Sequence, residues 1–184
     1  CLNPKEHSIP VRSKRNSPLK PRTGYKTIAM EKISIWQIPE SDTIITTRVV
    51  NAPQDIVFKA WTHPVHLQNW WGPSGFTTII DKYDQRPGGK WLFMIQAPDK
   101  TNYPNECTFV KIDPPAQVVW NHEGAPHEFQ VEAFFESLAA DKTRVVFKMK
   151  FTYSEECRKL RGIITEKNEE NMDKLEGELA RMMR

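Results

Sequence analysis

Between Asp42 and Asn51 the chain reads TIITTRVV, a β-branched run with the character of a strand. Asn51-Ala52-Pro53 then opens a helix with proline near its first turn, and Ile56, Val57, Ala60 and Trp61 recur at helical spacing. Pro64 interrupts, and His66–Trp71 reads as a second short helix ended by Gly72-Pro73. Beyond that point the period of the apolar positions drops to two. Phe76–Asp84, Lys90–Gln96, Asn105–Ile112, Gln117–His122, Glu128–Glu136 and Arg144–Phe151 are predicted strands, separated by turns rich in Gly, Pro and Asp. Connections this short favour an antiparallel meander.

The alternation is clearest in the last two strands. Phe129, Val131, Ala133 and Phe135 share one face, as do Val145, Phe147, Met149 and Phe151; Glu132 and Glu136 lie opposite, facing Arg144, Lys148 and Lys150. A long helix from about Ser154 to Met183 closes the pattern, with Leu160, Ile163, Ile164, Met172, Leu175, Leu179 and Met182 as its apolar stripe. Its middle is broken, because steps of three and four from Ile164 land on Asn168 and Asn171. Two readings are open there: an exposed stretch of helix, or amides set against a cavity where they orient a polar ligand group. Strand, two short helices, six strands and a long helix describe an α+β fold, a curved antiparallel sheet gripping its C-terminal helix.

Charge separates the chain into two parts. The 184 residues carry a formal +3, but residues 1–29 hold seven Lys and Arg against one Glu, a balance of +6, leaving −3 for residues 30–184. Four prolines and no apolar periodicity predict disorder for that basic tail. Three accounts of it are open: upstream or non-native sequence, with Met30 as the natural start; a lipidated Cys1; or a segment touching acidic lipid or nucleic acid. Residues 1–41 are taken as tail and lead-in, and 42–184 as a single domain, since one core suits this length. No apolar run approaches the roughly 20 residues of a membrane span. Cys1, Cys107 and Cys157 lack paired spacing, which suggests a reducing, cytoplasmic setting.

Four segments in order carry a resemblance: Ala52-Pro53, Ala60-Trp61-Thr62, Trp70-Trp71-Gly72-Pro73 and Arg86-Pro87-Gly88-Gly89. With the strands that end in KTRVVFKMKF they make the sequence, from about Asp42 onward, similar to the Aha-type family. These are homologues of the C-terminal domain of the heat-shock protein ATPase activator, within the START-like (SRPBCC) superfamily. The resemblance implies a helix-grip fold with a cavity between sheet and C-terminal helix. It also implies a heat-shock ATPase chaperone as one candidate partner. It implies less about function, because this superfamily hosts lipid carriers, cyclases, hydrolases and chaperone cofactors.

Candidate chemistry is sparse. His63 and His66 stand three apart with no third ligand near in sequence, so no metal is expected, and His122 and His127 read as exposed turn residues. Nucleophile elbows, dinucleotide loops and phosphate loops are missing from the sequence, so no cofactor is expected and no catalytic residue is named. Cys107 reads as a small buried hydrophobe, and Arg86 as a partner for Asp81 or Asp84 or a residue reaching the cavity mouth. Aromatic residues carry the stronger signal. Trp70, Trp71 and Phe76 are placed at the mouth of a hydrophobic site, Trp91, Phe93, Trp120, Phe129 and Phe135 within it, and Asn168 or Asn171 as its polar groups. The expectation is a monomer or homodimer that binds a small hydrophobic molecule rather than nucleic acid. Chaperone-ATPase stimulation and a cyclase- or hydrolase-type enzyme are the alternatives.

Overall fold

A computed structural model describes residues 42–124, 128–152 and 154–184. The predicted tail and His127 lie outside the described residues. In order, the elements are β1 (Thr43–Val50), α1 (Gln54–Thr62), α2 (Pro64–Trp70), β2 (Thr77–Tyr83), β3 (Lys90–Gln96), β4 (Asn102–Asp113), β5 (Gln117–Glu123), β6 (Phe129–Ala139), β7 (Lys142–Phe151) and α3 (Ser154–Met182). The seven strands form one antiparallel sheet in the order β1-β7-β6-β5-β4-β3-β2. This is the α+β helix-grip architecture, with β1 and β2 at opposite edges and α1 and α2 carrying the chain between them.

The sheet bends because it is not regular. Pairing slips between Ile80 and Lys82, between Phe109 and Lys111, and between Ser137 and Ala139. Each extra residue coils its strand and increases the local twist. The Arg86–Gly89 turn is fastened onto the second irregularity, since Gly88 N–H donates to Phe109 O (2.8 Å) and Phe109 N–H to Gly89 O (2.9 Å). Gly89 is obligatory: a Cβ there would sit 2.0 Å from the carbonyl oxygen of Asp84.

Predicted alternation governs the concave face. Val131, Ala133 and Phe135 of β6 and Val145, Phe147, Met149 and Phe151 of β7 are buried. On the convex face Arg144 meets Glu136 at 2.7 Å and Lys150 meets Glu132 at 2.6 Å. Several boundaries differ from the sequence reading. β4 starts at Asn102, pairing through Pro104 with Met94, and β6 runs on to Ala139, leaving a two-residue turn before β7. The interruption expected at Pro64 falls on His63, which is extended, and Pro64 itself starts α2, where its missing N–H costs nothing and its fixed φ suits the first turn.

The core gathers round Trp61 of α1, wholly buried with its ring 4.7 Å from Trp70, 5.5 Å from Phe135 and 5.4 Å from Phe147. The C-terminal half of α3 packs here through Met172, Leu175 and Leu179, all buried. Arg48 on β1 fastens the helix from outside, within 2.6–2.9 Å of Glu169, Asp173 and Glu176. These three carboxylates hold the guanidinium charge firmly, raising its pKa above the ordinary value. At the same end buried Glu178 takes a hydrogen bond from Asn69 Nδ2 (3.2 Å), lies 2.8 Å from His66 Nδ1, and pairs with Arg181.

Candidate functional site

The N-terminal half of α3 packs less closely. Ile163, expected in the apolar stripe, is 60% exposed, and Leu160 and Ile164 are only half-buried. Beneath them a cavity of about 350 Å³ opens between the helix and the concave face of the sheet. That is within the size range of small-molecule sites, at its lower end.

The sheet side of the wall is largely aromatic: Phe93 from β3, Trp120 from β5, Phe129 from β6, and Phe147 and Phe151 from β7, with Ile95 and Met149 between them and Asn105 and His122 as its polar members. Leu160, Ile164, Lys167, Asn168 and Asn171 line it from α3, and Trp71, Gly72 and Pro73 from the loop after α2. The loop is tied down to the helix. Lys174 Nζ donates to Gly72 O, and Ser74 N–H donates to Glu170 Oε2 at 3.3 Å. Glu170 in turn pairs with Lys167 at 2.6 Å, which pulls its carboxyl below the ordinary value. Burial lowers the Lys174 pKa, in keeping with an ammonium held against a carbonyl rather than a carboxylate.

Two adjacent tryptophans take different places. Trp70 closes α2, fully buried, its indole N–H on Ala60 O at 3.0 Å. Trp71 turns extended (φ −72°, ψ 133°), which directs the chain out of the helix, and its half-buried ring joins the cavity wall. Of the other residues named from sequence, Phe93, Trp120, Phe129, Asn168 and Asn171 line the cavity with Trp71. Trp91 lies behind the wall, stacked on Phe93 at 4.2 Å, and Phe135 packs edge-on against Phe58 of α1. Phe76 is exposed beside Tyr103, and Arg86 is an exposed partner of Asp84 at 2.9 Å, away from the cavity.

The amides in the break of the helix stripe are buried, Asn168 at 4% exposure and Asn171 at 8%. Asn168 Nδ2 donates to Thr46 Oγ1 at 3.3 Å and touches Met149 Sδ at 3.5 Å. Asn171 Oδ1 and Trp120 Nε1 are enclosed with no hydrogen-bond partner among the described residues. His122 is not an exposed turn residue. β5 continues through it, so it shares the concave face with Trp120, stacks on Phe129 at 4.6 Å, and places Nε2 2.9 Å from Asn105 Oδ1. Its position two residues after Trp120 was the signal available in the sequence. His66 is engaged by Glu178, and burial pushes the Cys107 thiol up, consistent with an inert core residue.

Comparison with known proteins agrees with this architecture. Residues 51–180 match the family model described as activator of Hsp90 ATPase homolog 1-like protein. The chain belongs to that family. A search of curated proteins finds no match. Solved structures with this fold include an NMR structure of a protein from Arthrobacter aurescens: 20% identity, TM-score 0.71, covering 80% of this chain and 93% of that one. A crystal structure of a protein from Nitrosomonas europaea has 18% identity and TM-score 0.71, over 79% and 98% of the two chains. An NMR structure of a protein from Staphylococcus epidermidis has 19% identity and TM-score 0.69, over 80% and 96%. At these identities the likeness is one of fold. Among the described residues no helix is long and apolar enough to cross a membrane.

Proposed function

We propose that this member of the activator of Hsp90 ATPase homolog 1-like family binds a small hydrophobic molecule between its sheet and α3, carrying it without chemical change. The observation that supports this reading most is a cavity of about 350 Å³ walled by Trp71, Phe93, Trp120, Phe129, Phe147 and Phe151. Asn168 and Asn171, buried amides rather than apolar side chains, occupy the α3 positions over this gap. Trp71 and Trp120 would touch an occupant directly. Native mass spectrometry after mild purification, with a lipophile screen read by tryptophan emission, tests the proposal. Retained or added small molecules that quench emission support it; an empty protein with unchanged emission throughout the screen defeats it.

A second reading follows from the family's description alone: contact with a heat-shock ATPase chaperone that alters its turnover. ATP hydrolysis by the chaperone from the same organism, measured with this protein at saturation, separates the two readings. Turnover that does not change disposes of the second.

A further inference from the structure

Asn168 and Asn171 are one helical step apart, line the same cavity and are similarly buried, but their amides are in different situations. Asn168 has a hydroxyl and a thioether to bond. Asn171 Oδ1 is fully enclosed and has no hydrogen-bond partner among the described residues. An amide buried without partners is costly, because the water it loses is not replaced.

The three enclosed indole N–H groups, on Trp61, Trp91 and Trp120, are a weaker signal. Each lies among aromatic rings with centroids 4.2–6.4 Å away, whose negative faces can accept an N–H. No ring face can serve the carbonyl end of Asn171. Its need is therefore specific, and it lies in the wall of the cavity.

We infer that the occupant is a neutral molecule carrying a hydroxyl or amide group, seated against Asn171, with an aromatic or alicyclic body lying on the aromatic wall. The inference rests on the cavity-binding reading and adds the chemical class. A hydroxyl or an amide offers a donor and an acceptor together, which complements a side-chain amide in either of its two flip orientations. A carboxylate offers acceptors only and would leave Oδ1 unmet. A buried carboxylate also needs a cation. Among the described residues the basic side chains in the wall are Lys167, already bound to Glu170 at 2.6 Å, and His122, whose Nε2 is engaged by Asn105 Oδ1 at 2.9 Å. Lys174 sits behind Gly72 and is held by that residue's carbonyl.

A matched series of probes tests this: 2-naphthol, naphthalene and 2-naphthoate, titrated calorimetrically at pH 7 into the wild-type chain and into Asn171→Leu. One neutral hydrogen bond predicts that 2-naphthol binds about tenfold more tightly than naphthalene. 2-Naphthoate should bind more weakly than 2-naphthol. In Asn171→Leu the ratio of naphthol to naphthalene affinities should fall to near one. The melting temperature of that variant should rise by a few degrees, because an unmet amide has been removed. Equal binding of 2-naphthol and naphthalene by the wild type overturns the inference and leaves cavity binding standing. So does 2-naphthoate as the tightest probe, or a tenfold preference that survives in Asn171→Leu. If none of the three binds, the cavity reading itself fails and takes the inference with it.

Discussion

The two halves of α3 lie over the same sheet and behave differently. From Met172 onward the helix buries Met172, Leu175 and Leu179 against α1, α2 and β1; before Asn168 it leaves Ile163 in solvent and holds Leu160 and Ile164 over a cavity. The neighbours rather than the helix make the difference. The C-terminal half meets two short helices that fill the space with Trp61, Trp70 and Leu67, whereas the N-terminal half is anchored by buried Cys157 at its start and then holds Leu160 and Ile164 over the open part of the sheet. A helix packed along one half can stand away from the sheet over part of the other without loss of overall stability. Storage of the protein's stability in one half would leave the other free to accept a guest.

The comparison can be broken most directly at Leu175. Leu175→Ala is expected to cost about 3 kcal/mol in equilibrium denaturation, the usual penalty for a cavity in a close-packed site. A cost below about 1 kcal/mol would show that the C-terminal half is not the anchor. Arg48→Met should come next, at about 1 kcal/mol at low salt and less as salt is added, because its three carboxylate partners are well exposed. Ile164→Ala is expected to cost less than about 1 kcal/mol, since half-buried methyl groups beside open space lose few neighbours. Its effect should be on affinity for an occupant, and a penalty equal to that of Leu175→Ala would erase the distinction between the halves.

The smallest effect concerns the strap at the mouth. Glu170 has a pKa held below its ordinary 4.5 by Lys167 first, then by the Ser74 N–H. A depressed carboxyl stabilises the folded state above the unfolded value, and that contribution disappears as pH falls through the folded one. Glu170→Gln should therefore flatten the acid limb of the stability profile below pH 4.5 while leaving neutral pH nearly unaffected. An unchanged acid limb would mean that the strap carries no free energy.

Much of the fold was legible because strand parity and helix spacing are local properties. Phe129 to Phe135 and Val145 to Phe151 could be assigned to one face from their period alone. The site was legible in part. The interruption of the helix stripe at Asn168 and Asn171 was visible, and so was the aromatic richness. The separate placements of Trp70 and Trp71 were not, because they depend on one ψ angle at the end of α2. Trp91 and Phe135 look like wall residues in sequence but pack behind it, since curvature decides which part of a concave face stays open. Ile163 kept helical spacing yet ended in solvent, because nothing in the chain announces where a helix lifts from its sheet.

The pairing of β1 with β7 has a consequence for synthesis. Thr43 lies opposite Lys150, so β1 finds its sheet partner only in β7, made after the five strands between them. The meander from β2 to β6 can zip up through neighbouring segments as they emerge, while β1 waits for a loop of about a hundred residues to close, a slow step. The chamber beneath α3 is roofed only after that, so a hydrophobic guest would meet an open half-shell on the nascent chain before it meets a finished container.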